Sequence, residues 1–229
     1  MRLLEPASED DMIAVFLAAE ATSERYGPQI HEILTGLGQP HGIAAHPDTS
    51  DDAANAIRRQ VLAAYRGYPA ADVFTGMPAD VAWHHAALTP AKLATVRYLD
   101  YLYWTDFSGG TRLAADGARR LGPWQDQQPG TIYRQIAENL RDGQLPPPII
   151  LIGEPGPANL VVLEGHKRLT GLLVCPHWLP ADLTPSPQGP AHRARPVEPS
   201  PSGASPFRAG SGCGTQAAVR VFNGLPRRS

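Results

Sequence analysis

The chain has 229 residues, enough for one ordinary domain with an extension. A formal net charge of only -2 supplies no global field that would mark nucleic acid or an anionic membrane as a partner. Hydrophobic residues make up 42% and support a real core, but 24 prolines and 22 glycines are more than one compact domain uses, so they must be concentrated somewhere.

The first ninety residues read as helical. In "ASEDDMIAVFLAAEATSERY", Ser8 can cap, and Glu9, Asp10 and Asp11 favour the positive end of a helix. Met12, Val15, Phe16 and Ala19 follow at helical spacing. "GPQIHEILTGLG" places Ile30, Ile33, Leu34 and Leu37 on one face. "TSDDAANAIRRQVLAAYRGY" predicts a helix capped by Ser50, with a stripe of Ile57, Val61, Ala64 and Tyr65 and a stop at Gly67 and Pro69. A short helix is expected around "PADVAWHHAAL".

Past Pro90, "LTPAKLATVRYLDYLYW" starts helically and becomes aromatic, and periodicity leaves its end open between strand and buried helix. Trp83, Tyr101, Tyr103 and Trp104 are read as core, His84 and His85 as packed or surface residues, and Asp100 and Asp106 as turn residues. "TDFSGGTRL" is a loop. "PGTIYRQIAENLRDGQ" is an amphipathic helix with Ile132, Ile136 and Leu140 inside and Glu138 on its polar side. "LPPPIILIG" and "NLVVLEG" are strands around the turn "EPGPA", and "HKRLTGLLV" is a helix. Helix, strand, strand, helix makes a mixed α/β unit. From about Pro180 the chain is rich in Pro, Ser, Gly and Arg and is expected to be disordered, with an off-frame translation as the alternative origin.

The expected class is therefore α+β: a helical region over 1–90, a small α/β domain over 91–179 and a tail over 180–229. No apolar run approaches the ~20 residues of a membrane span, and the acidic start lacks the core of a signal peptide. Cys175 and Cys213 form neither a disulfide framework nor a zinc site, so a cytoplasmic protein without a metal centre is expected.

The chemistry concentrates in Glu164-Gly165-His166-Lys167-Arg168, where a strand meets a helix. A helix start carries unpaired N–H groups and partial positive charge, and cations there oppose the dipole. A bound anion would resolve that conflict: Arg168 can hold a phosphate bidentately, Lys167 adds a point charge, and His166 donates or carries a proton. Basic side chains that simply point to water remain the alternative.

The stretch "GQLPPPIILIGEPGPANLVVLEGHKRLTG" resembles the core of the ParB/sulfiredoxin superfamily. That core is a helix, a P-I-x-V strand, a turn, and a strand ending in a G-x-x-R box. "EGHKR" is closest to the D-G-H-x-R form of the box, with Glu164 in place of Asp. The likeness covers roughly 98–174. It implies a ParB N-terminal-like fold and a nucleotide ligand, ATP or CTP, with Mg as its companion ion. Gly165, His166, Lys167 and Arg168 would hold the phosphates, and an upstream loop, here Ser108, Gly109, Gly110, Thr111 and Arg112, would face them. Glu164 would orient Arg168, bind a metal or act as base, and with His166 would carry any phosphoryl transfer or hydrolysis.

Two departures narrow the resemblance. Sulfiredoxins have a cysteine where His166 stands, so their reductase chemistry is not available. ParB proteins follow the box with a helix-turn-helix module, and here the Pro-rich tail follows. Three readings stay open: an enzyme acting on phosphates, a non-catalytic nucleotide switch or scaffold, and a DNA-associated protein of plasmid or phage type.

Overall fold

The computed structural model describes residues 1–77, 81–121, 131–153, 160–179 and 221–226. Strand β1 (Arg2–Ala7) leads into α1 (Glu9–Ala21), which begins with a capping box. There the Ser8 N–H donates to Asp11 Oδ2 at 2.9 Å, and the Asp11 N–H donates to Ser8 Oγ at 3.1 Å. Helices α2 (Gly27–Gly36), α3 (Gly42–Ala45) and α4 (Asp52–Arg66) complete an N-terminal helical layer. The cap of α4 is Asp51, not Ser50 as expected. The Asp51 carboxylate accepts from the Ala54 N–H at 3.0 Å, while the Ser50 hydroxyl donates to Asp48. The fully buried Arg58 crosslinks this layer, donating to the carbonyls of Ile43 and Asp48.

The segment around "AWHHAA" is strand β2 (Val81–Ala87), not a helix, and it pairs antiparallel with β1. A helix would put Trp83 and Ala86 on one face. Trp83 and Ala86 are buried in different cores instead. Helices α5 (Pro90–Leu93), α6 (Leu102–Phe107), α7 (Ala114–Leu121) and α8 (Thr131–Arg141) follow, then β3 (Ile149–Ile152), β4 (Val161–Glu164) and α9 (His166–Val174). In α8, Tyr133, Ala137 and Leu140 are buried whereas Ile132 is 46% exposed, so the apolar face is rotated from the expected one. Helix α6 buries none of its residues, and Tyr101 and Tyr103 are exposed rather than core. The turn expected at "EPGPA" lies outside the described residues, as do 180–220 and 227–229 of the tail. Within the tail, Val221–Pro226 form strand β5, which no periodicity had signalled.

The sheet order is β1-β2-β5-β3-β4, with β5 parallel to β3 and every other pair antiparallel. The chain is thus α+β. Alternation along the strands feeds two cores, one on each face. Ile149, Leu151 and Val162 pack with Leu169, Leu172 and Ala118 on one side. Ile150 and Leu163 pack with Met12, Phe16 and Leu62 on the other. The N-terminal helices therefore lie on the back of the β3–β4 hairpin, and residues on either side of Pro90 share one sheet. Beside β4 runs an extended segment through Arg97, whose N–H donates to Leu160 and whose carbonyl accepts from the Val162 N–H at 2.8 Å. Among the described residues no helix is long and apolar enough to cross a membrane.

Candidate functional site

The join between β4 and α9 is set by Gly165. Its φ of +96° lies in the left-handed region, and a Cβ there would stand 2.6 Å from Ile149 Cγ2. Only glycine satisfies both conditions. Because Gly165 is also the N-cap of α9, no side chain caps the first turn. Its residues, His166, Lys167 and Arg168, all line a cleft of about 500 Å³. The cleft is lined as well by the end of α1 and the chain after it, Ala19, Glu20 and Ser23 to Tyr26, and by Trp104, Ile132, Ile136 and Pro147.

Arg168 is a structural clamp. Its guanidinium pairs with Glu164, and its Nη1 donates to the carbonyl of Pro148 at 2.7 Å. Both side chains of the pair are only 13% exposed. Burial pushes the Arg168 pKa down to about 10, with the Glu20 carboxylate working against the shift. Arg168 therefore ties the end of β4 to the start of β3, and it neutralises Glu164. Glu20, across the cleft, is buried as well, accepts from the Tyr65 hydroxyl at 2.9 Å and lies 4.0 Å from Arg66. Lys167 is exposed, and Arg25 rests on the ring of Tyr26 at 4.8 Å.

His166 stacks on Trp104 at 4.9 Å and on Tyr98 at 6.0 Å. Tyr98 in turn shares a 2.6 Å hydrogen bond with Thr170, one turn along α9. The Nε2 of His166 is shut off from solvent and has no hydrogen-bond partner. Burial pushes the imidazole pKa down to about 3. The ring is therefore neutral at ordinary pH, and it can donate or accept one hydrogen bond but adds no charge.

The five residues of the upstream loop are not brought into this cleft. The Ser108 hydroxyl donates to the Trp104 carbonyl at 2.8 Å and accepts from the Arg112 N–H at 2.8 Å. Thr111 donates to Asp116 at 2.6 Å, and Arg112 donates to the Tyr98 carbonyl and pairs with Asp100 at 3.1 Å. Gly109 and Gly110 take φ of +68° and +91° in the turn that ends α6. The side chains of Ser108, Thr111 and Arg112 are thus engaged by α6, by Asp116 and by the extended segment at Tyr98. Sequence reasoning missed Glu20, the 23–26 segment and Trp104 as cleft walls. A signal existed for Glu20: a carboxylate one helical turn beyond Phe16, on a face that is otherwise apolar.

Among the described residues no group of three or more His, Cys, Asp and Glu side chains is placed to hold a metal ion. No protein-family model, curated protein or solved structure matches the chain.

Two predictions follow from the geometry of the join. Gly165→Ala should cost about 3 kcal/mol, the left-handed strain plus overpacking against Ile149. Gly110→Ala, at a similar φ but with nothing within 4 Å, should cost only about 1 kcal/mol. Urea unfolding of the two variants checks this, and equal losses would contradict a steric role for Gly165. For His166, the unfolded imidazole takes up its proton near 6.5 and the folded one only near 3. Between those values the unfolded state binds more protons, so stability rises with pH, is complete above about 6.5 and falls as pH drops toward 3. His166→Phe keeps the stack and should flatten that slope in unfolding measured from pH 7 to pH 4. An unchanged slope would show that His166 is not its source.

Proposed function

We propose that the cleft at the start of α9 binds a phosphate-bearing small molecule, a nucleotide in the first instance, with the phosphates on the first turn of α9. The observation that carries this reading is the uncapped helix start itself. Gly165 leaves the first turn without a side-chain cap, and that turn lines a cleft with Lys167 beside it and a neutral imidazole whose Nε2 has no partner. Helix N-termini of this kind attract anions through their N–H groups and dipole. The likeness of "EGHKR" to the ParB/sulfiredoxin box points to the same ligand class.

Glu164 is held by Arg168 and is not free to act as a base, and His166 is boxed in by aromatic rings. These contacts favour a binding or switch module over an enzyme that turns its ligand over. Any Mg would arrive with the phosphates of ATP or CTP.

The test is thermal unfolding with ATP, CTP, GTP and UTP, with and without magnesium. A ligand at one hundred times its dissociation constant should stabilise the protein by about 2.7 kcal/mol. Lys167→Glu should abolish the shift, because it reverses the exposed charge beside the helix start. Arg59→Ala should retain it, since Arg59 pairs with Asp10 at 2.5 Å, outside the cleft. Arg168→Ala is the poorer probe, since it strands a buried carboxylate and costs stability for that reason alone. No shift with any nucleotide, or an equal shift with Lys167→Glu, would contradict the proposal.

A further inference from the structure

A further space adjoins the cleft at α1. A second cavity, of about 740 Å³, shares Ala19 and Pro147 with it. Along α1 its wall is Asp11, Ala14, Val15, Ala18 and Thr22. Their spacing puts them on one face of the helix, and Ala19, at the edge of that face, also lines the first cleft. The facing wall is Leu145 with Pro146, Pro147 and Pro148, which offer rings and no backbone N–H donors. At the far end stand Asp11, His46, Thr49 and His85. From Asp11 to Ala21, the last residue of α1, the helix rises about 15 Å at 1.5 Å per residue.

A single inorganic anion at α9 would leave nearly all of this space empty. Cavities of a few hundred Å³, apolar with polar groups at defined points, are the usual seats of organic ligands. The α1 side of this cavity is apolar in its middle, where it carries Ala14, Val15 and Ala18. The far end offers the imidazole of His46 and the hydroxyl of Thr49, beside an Asp11 carboxylate that already accepts from Ser8, a mixture of acceptors and donors that suits a neutral hydrogen-bonding head and not a second phosphate.

We infer that the ligand is an elongated phosphate ester: its phosphates sit on α9, its body lies against Ala18 and Pro147, and a hydrogen-bonding head of nucleobase size reaches His46 and Thr49. This rests on the phosphate reading above and adds the ligand's length and the identity of its second subsite, which the N-terminal helices supply and the box does not.

Calorimetric titration separates the two claims. Inorganic pyrophosphate probes the α9 end alone, and the four common ribonucleoside triphosphates probe both ends. The best triphosphate should bind the wild type roughly tenfold more tightly than pyrophosphate, a difference of about 1.4 kcal/mol. Ala18→Trp, which fills the second cavity beside the shared Ala19, should erase that advantage and leave pyrophosphate binding unchanged. If Ala18→Trp does not fold, the double variant Thr49→Val with His46→Ala serves in its place, because neither residue is buried. It should lose the same tenfold and keep pyrophosphate. Triphosphates that bind no more tightly than pyrophosphate, or that ignore both variants, would overturn the second subsite while leaving the phosphate seat standing. If neither pyrophosphate nor any triphosphate binds the wild type, both proposals fall.

Discussion

Between Val162 and Leu169 the chain must leave a buried strand and enter a buried helix within a few residues, with the side chain of Ile149 pressed against the turn. Glycine in the left-handed region is the one solution that avoids a clash. The same choice removes any side-chain cap from α9. Steric necessity at Gly165 thus creates an electrostatic demand at the helix start. Everything that makes the region a candidate site, the cleft and the polar groups that line it, is arranged around that unmet demand.

The cationic cluster next to Gly165 divides its labour. Arg168 turns inward, binds Glu164 and the Pro148 carbonyl, and fixes the helix start to the strand it must face. Removing either partner of such a buried pair is costly, so the clamp also keeps the join rigid. His166 turns onto the aromatic surface of Trp104 and Tyr98 and loses its charge. Lys167 alone of the three is exposed. Three residues that looked interchangeable as cations occupy three different dielectric environments, and only one keeps its charge facing water.

Much of the fold was legible because local patterns were strong. The helix cap at Ser8, the "IILI" and "VVLE" runs and the helix after Gly165 stand where their patterns put them. What escaped was decided by tertiary contact. Strand β2 alternates too weakly to declare itself, because His84 and His85 interrupt it and two of its buried residues, Trp83 and Ala86, serve opposite faces. Ile132 reads as core by hydropathy, yet Tyr133 holds the buried position beside it. The box was legible as a cluster, but its far wall was not, since α1 lies well over a hundred residues away in sequence and its contact with the box depends on the shared sheet. The loop from Ser108 to Arg112 shows the reverse case. Its composition suits a phosphate cradle, but its hydroxyls, amide and guanidinium are taken up within the turn and by α6, Asp116 and Tyr98.

The most direct measurement is the response of individual backbone amides to inorganic pyrophosphate, followed in nitrogen–proton correlation spectra of the isotopically labelled protein. If the start of α9 is a phosphate seat, the amides of His166, Lys167 and Arg168 should move downfield together and saturate, while those of Gly109 and Gly110 stay in place. Amides of α9 that do not respond, or that respond no more than the Gly109–Gly110 turn, would contradict it.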